Sequence, residues 1–150
     1  MHRTILLALI IALSLLGVAD SWYLLQSAVT DTALTCDIGA GLDGCNIVAQ
    51  SPYSKLFGVP LALYGVGFFG LIFLGALALL FSRNPRLYLV LLGLAGIGAA
   101  ASVVFLYIQF VLIKALCIYC LLSAAIAFAL ILLAWWLFKR HAVPSVTPVL

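Results

Sequence analysis

The chemistry open to this chain of 150 residues rests on four cysteines. Cys117 and Cys120 form a C-x-x-C pair, set where a long apolar run resumes after a single Lys114. Residues three apart on a helix share one face, so the two sulfurs point the same way and can work as a thiol–disulfide couple. Cys36 and Cys45 make a second pair, separated by Asp37-Ile38-Gly39-Ala40-Gly41-Leu42-Asp43-Gly44. Its three glycines let the segment fold back to join the sulfurs, or let one sulfur swing away. An even count of cysteines fits disulfides or a metal site. Other reactive groups are scarce: there is no Glu, and the only histidines are His2 and His141. That scarcity argues against most hydrolytic mechanisms.

The elements that position these cysteines are membrane helices. The chain is 67% hydrophobic and 7% charged, with a mean hydropathy of +1.35; a soluble domain is about a quarter charged. Four apolar spans emerge, at about 4–28, 56–81, 87–113 and 115–138, each long enough to cross a bilayer that needs roughly 20 helical residues. The fold class expected is an all-α membrane protein, one domain over residues 1–150, built as a four-transmembrane-helix bundle with an outward loop between helices 1 and 2. The first stretch, His2-Arg3 followed by Ile5 to Leu16 and Gly17-Val18-Ala19, has the look of a signal peptide. Its apolar run continues through Trp22, Tyr23, Leu24 and Leu25, so it reads as an uncleaved spanning helix. Asp20 is the one charge within a span, and is expected near the helix end where water reaches it. The glycines of spans two and three read as close-packing positions.

Connections are short except the first. Ser82-Arg83-Asn84-Pro85-Arg86 is a tight turn, Lys114 alone separates spans three and four, and residues 29–55 form the one sizeable loop. Arg3, Arg83, Arg86, Lys139 and Arg140 fall on one side of a four-span protein, and Lys55 and Lys114 on the other. The positive-inside rule then places both termini in the cytoplasm, and the localisation expected is multi-pass in the cell's inner (plasma) membrane. The seven cations are scattered, which leaves no patch for nucleic acid. All four cysteines therefore face outward, to a periplasmic or extracytoplasmic compartment in which disulfides persist.

Three readings of the cysteines compete. Structural disulfides are one, giving a non-enzymatic membrane scaffold, although a bond between Cys117 and Cys120 would close a very small loop and stabilise little. A zinc site is another, although the gap between Cys36 and Cys45 exceeds the usual ligand spacing. The third is an electron relay in which the loop pair exchanges with the helix pair. A relay at a membrane surface needs a lipid-soluble electron acceptor, which points to a quinone lying between the helices. Donors for its carbonyls would come from Tyr64, Tyr107, Gln109, Tyr119, Ser51 and Ser54. Tyrosines at membrane boundaries are also common interfacial anchors.

The order Cys36-Asp37-Ile38-Gly39, Cys45, Ser51-Pro52-Tyr53-Ser54-Lys55-Leu56-Phe57-Gly58-Val59-Pro60-Leu61-Ala62-Leu63-Tyr64-Gly65 and Cys117-Ile118-Tyr119-Cys120 resembles the vitamin K epoxide reductase family, closest to its short bacterial-type members without a fused thioredoxin domain. The resemblance runs over most of the chain. It implies a four-helix bundle around a quinone, capped by the segment with the loop cysteines. It further implies that Cys120 engages the quinone (ubiquinone or menaquinone), with Cys117 as its disulfide partner. Cys45 would attack Cys117, Cys36 would meet an external DsbA-like thioredoxin-fold protein, and Ser51 would lie near the quinone ring. Tyr64 and Tyr119 join Ser51 as candidate quinone contacts, and no metal ligand is assigned. Ala124 stands where the vertebrate enzymes have a tyrosine, so at this position the resemblance does not itself imply the vertebrate ligand geometry or epoxide reduction.

Overall fold

The computed structural model describes residues 2–36 and 44–141; Asp37, Gly39, Gly41 and Asp43 of the first loop lie outside the described residues. The described residues form five α-helices: α1 (His2–Thr30), α2 (Gly44–Ala49), α3 (Leu61–Phe81), α4 (Pro85–Tyr107) and α5 (Ile118–His141). Four of these segments, with α4 continued to Ile113, are long and apolar enough to cross a membrane. The protein is thus a multi-pass membrane protein. At a rise of about 1.5 Å per residue α1 is roughly 43 Å long. It therefore outruns a hydrocarbon core of about 30 Å and projects towards the loop.

The boundaries depart from the hydropathy pattern in three places. Residues 56–60 are not helical: after a 3-10 turn at Pro52–Ser54, strands β1 (Lys55–Leu56) and β2 (Val59–Pro60) form a small antiparallel hairpin pairing Lys55 with Pro60 and Leu56 with Val59. Both residues at its tip, Phe57 and Gly58, have positive φ (53° and 81°), as a two-residue turn matching the strand twist requires. Gly58 is therefore a turn residue and not a packing one. Residues 115–117 are also non-helical. From Ile108 to Ile113 the end of the third span is a π-helix, closed by Lys114 in the left-handed region at φ 56°. Hydropathy averages over a window and is blind to these changes of local geometry.

Each spanning helix packs chiefly on two others, in the ring α1–α3–α4–α5. The core follows helical spacing: Leu6, Leu7 and Ile10 on α1; Phe69, Ile72, Ala76 and Leu79 on α3; Tyr88, Leu91 and Ala95 on α4; Leu130, Ala134 and Leu137 on α5. Side chains three or four apart present one face, while the outer faces keep exposed Leu, Val and Ile for lipid. Some glycines do serve close approach. A Cβ on Gly17 would lie 2.5 Å from the Phe69 ring, and one on Gly65 would lie 2.6 Å from Ser21 Oγ. Gly67, Gly70 and Gly93, in contrast, meet nothing within 4 Å and are not contact positions.

One end of the bundle is cationic. His2, Arg3, Arg83, Arg140 and His141 surround a single depression there. Arg3 reaches across it: its guanidinium donates to Tyr88 Oη (2.8 Å), to the Ser82 carbonyl (2.9 Å) and to the Leu79 carbonyl. The latter two close the C-terminus of α3, where carbonyls lack partners within the helix and a cation is favoured. The adjoining turn is capped as its sequence implies, with Asn84 Oδ1 accepting from Arg86 N at 3.0 Å and Pro85 opening α4. Lys139 and Arg140 lie over the rings of Trp135 and Trp136, an interfacial arrangement. Replacing Arg3 with Met keeps the stem but removes these bonds. A loss of at least about 2 kcal/mol is expected, since a single hydrogen bond from a charged group is worth about 1.5–3 kcal/mol and three are removed; a lowered unfolding temperature in detergent micelles would register it.

Candidate functional site

At the opposite end of the bundle the four cysteines meet. Cys36 and Cys45 are joined in a disulfide, while Cys117 and Cys120 are free thiols. Cys45 and Cys117, each 1% exposed, pack together with Leu34 in one buried cluster, and Cys36, Val48, Leu24, Tyr119 and Cys120 lie against it. One disulfide and one pair of free thiols thus share a single apolar cluster.

Local structure fixes each member. Cys117 is not inside α5 but caps it. Its carbonyl accepts from Leu121 N at 2.9 Å and its sulfur accepts from Cys120 N at 3.3 Å, the bonds a helix N-cap makes to its first turn. The C-x-x-C spacing therefore has a second physical meaning: it sets the first sulfur over the amide of the second cysteine. The backbone N–H of Cys117 is held by Gln109 Oε1 at 3.1 Å, from the π-helical turn, where Gln109 is 4% exposed among exposed neighbours. A π turn inserts an extra residue and is frequent at functional sites.

The loop pair is held by its own contacts. Cys45 sits in the first turn of α2, whose first residue, Gly44, lies with its backbone directly on the Leu116 carbonyl; any Cβ there would strike it. The Asn46 side chain accepts from Leu34 N (2.9 Å) and donates to the Leu34 carbonyl (3.2 Å), fastening the irregular segment that leads to Cys36. Tyr119 donates to the Thr35 carbonyl at 3.1 Å, and its ring stands 5.1 Å from that of Tyr23, whose hydroxyl accepts from Thr35 N at 3.4 Å. Two tyrosines thus grip the residue before Cys36.

Of the other residues singled out from the sequence, Tyr119 belongs to this cluster, with its hydroxyl engaged by the loop. Ser51 lies at its margin, donating to the carbonyl of the cluster residue Val48 at 2.7 Å. Tyr64 is exposed on the first turn of α3 and donates to Leu56 in the hairpin at 3.2 Å, apart from the sulfurs' cluster. Gln109 spends its oxygen on Cys117, and Tyr107 faces outward. Gly44, Asn46, Thr35 and Tyr23 were not legible as site residues, because their partners lie at distant positions in the chain. Asp20 corrects an expectation: it is buried, not at a water-facing end, and its carboxylate accepts from Ser123 of α5.

The electrostatics favour a reactive first thiol. The Cys120 thiol hydrogen-bonding to Cys117 holds the Cys117 pKa below the ordinary cysteine value, against burial, which raises it. Helix amides beneath the sulfur act in the same lowering sense. Replacing Cys120 with alanine removes the largest of these causes, so the Cys117 thiolate is expected to form at higher pH; a pH titration of its ultraviolet thiolate band would report the shift.

Two comparisons with known proteins place the chain as a whole. The thiol-disulfide oxidoreductase LTO1 of Arabidopsis thaliana is 33% identical over 123 residues, covering 77% of this chain and 32% of its own length. The chain therefore spans about a third of the length of that curated relative. A profile described as the vitamin K epoxide reductase family matches residues 8–135. That stretch holds all four cysteines and nearly all of the spanning bundle, and on it the chain belongs to the vitamin K epoxide reductase family.

Proposed function

We propose that this protein is a membrane thiol:quinone oxidoreductase that regenerates an extracytoplasmic disulfide-forming protein of DsbA-like thioredoxin fold. The observation that carries the reading is a disulfide and a dithiol packed in one buried cluster at the end of the bundle remote from the cationic one. Membership of the family, and a relative described as a thiol-disulfide oxidoreductase, support it. The excess of Lys and Arg at the opposite end supports an outward-facing cluster in the plasma membrane, with both described helix termini, α1's start and α5's end, on the cytoplasmic side.

The electrons are balanced as follows. A thiolate of the partner attacks Cys36, the half-buried and therefore reachable member of the loop disulfide, and the partner's second thiol displaces it. The partner leaves oxidised and Cys36 and Cys45 become thiols. Cys45 then attacks Cys117 of the Cys117–Cys120 disulfide, Cys36 resolves the mixed bond, and the loop disulfide is restored with the helix pair reduced. That is the state of the four sulfurs in the structure. Cys117 and Cys120 finally give two electrons and two protons to a quinone, which leaves as quinol. Ser51, Tyr64 and Tyr119 are proposed as quinone contacts, and Cys120, being only partly buried, as the thiol that meets it.

The direct test is quinone-dependent oxidation of a purified thioredoxin-fold partner, followed by quinone absorbance. Stoichiometric quinol and partner disulfide are expected. A Cys36→Ala variant should lose oxidation of the protein partner while its Cys117–Cys120 pair still accepts electrons from a small dithiol. Absence of any redox change at Cys117 and Cys120 across oxidised and reduced quinone pools would leave the scaffold with structural cysteines as the better reading.

A further inference from the structure

The relay as described makes no use of Asp20, the only acid among the buried described residues. It is 7% exposed, within α1. Ser123 Oγ donates to its Oδ2 from α5, while Oδ1 is buried with no hydrogen-bond partner among the described residues. Ser123 lies one helical turn after Cys120 on the same face of α5, so the bond sets the carboxylate on the side of that helix that carries the thiols. No cation is among the groups that act on it. Leaving half a carboxylate unpaired inside an apolar bundle is costly, and ionisable side chains kept at such depth characteristically handle protons or ions.

We propose that Asp20, oriented by Ser123, is the proton acceptor of the Cys117/Cys120 couple. Oxidation of the dithiol must shed two protons into a pocket from which water is largely excluded. One passes from a thiol to Asp20 Oδ1 as the S–S bond forms and two electrons leave for the quinone, and the other passes directly from the second thiol to one quinone oxygen. Asp20 then returns its proton to the other reduced quinone oxygen, so that two thiols and a quinone become a disulfide and a quinol with the carboxylate restored. Fastening Oδ2 to Ser123 leaves Oδ1 as the free acceptor. The inference rests on the thiol:quinone reading, but its coupling to the thiols is measurable without a quinone.

Asp20→Asn is close in size and still accepts from Ser123, yet takes no proton. With a short-chain quinone as probe, turnover should fall about 100-fold or more, the scale of a lost general base, and Asp20→Glu should recover part of it. In the same Asn variant the Cys117 thiolate band should appear at lower pH, because a raising charge has gone. Turnover of the Asn variant within a few-fold of the parent, or equal losses in Asn and Glu, would overturn the proposal. If the parent itself reduces no quinone, the thiol:quinone reading fails, and the thiolate titration decides alone: an unshifted band overturns the role of Asp20. Should the Asn variant not fold, Ser123→Ala is expected to slow turnover several-fold and alter its pH–rate profile, and an unchanged profile would count against the assignment.

Discussion

Cys120→Ala is expected to abolish quinol formation, with turnover falling on the order of 10⁴-fold or more, as when one member of a concerted catalytic unit is removed. Without the second thiol no disulfide can form at the start of α5, so the two-electron step has no product. The same variant has a positive signature. Cys117 keeps its place beside Cys45 in the buried cluster, and its thiolate can attack Cys45 of the loop disulfide. A Cys45–Cys117 bond forms and the Cys36 thiolate is released. Alkylating Cys36 blocks the return, and peptide mapping after proteolysis should then find the Cys45–Cys117 cross-link. Quinol formation at the parent rate would remove Cys120 from the pathway, and failure to trap the cross-link would mean that the two sulfurs do not exchange.

Gly44→Ala is expected to be nearly as damaging, although it touches no sulfur. Gly44 rests against the Leu116 carbonyl, so the added Cβ meets main chain and not the movable end of a side chain. Either α2 moves away or the residues before Cys117 move, and both carry a reacting cysteine. Overpacking of this kind costs about 1–3 kcal/mol. A shift of about 1 Å between reacting groups costs about 100-fold in rate. The expected result is a protein that still inserts and binds quinone but transfers electrons from the loop pair to the helix pair about 100-fold more slowly. Stopped-flow reduction of the Cys117–Cys120 disulfide by a pre-reduced loop pair would measure that step, and a rate within a few-fold of the parent would show that the contact does not set the approach of the two pairs. Quinol formation from a small dithiol acting directly on Cys117–Cys120 should be much less affected.

Together these variants separate two properties of the site. In the proposed relay Cys120 is required because a disulfide takes two sulfurs, and Gly44 because exchange between the pairs takes their sulfurs at near contact. Asn46 and Tyr119 serve the second requirement from the other side, since they tie Leu34 and Thr35 down just before Cys36.

The sequence by itself determined the four spans, the family and the gathering of all four cysteines at one end. Each follows from local quantities: the length of an apolar run set against a bilayer, the parity of crossings, and the order of a motif. The grouping of Cys117 and Cys120 was legible for the same reason, being a spacing of three. It also determined the tight turn before α4, because Asn84-Pro85 acts on its nearest neighbours. What only the tertiary structure decided is how each helix is rotated about its axis. The spans are apolar nearly all round, so no polar stripe in them declares which side faces the bundle. Hence Asp20 looked like a residue at a wet helix end, yet rotation turns it onto Ser123, 103 positions away. Gln109 looked like a quinone donor, yet the π-helical turn carries it to the Cys117 amide. Gly44 looked like a hinge, yet it is a point of backbone contact with Leu116. The Cys117–Cys120 pair itself was read as two residues on one helical face, and the fold makes the first of them the cap on which that helix begins.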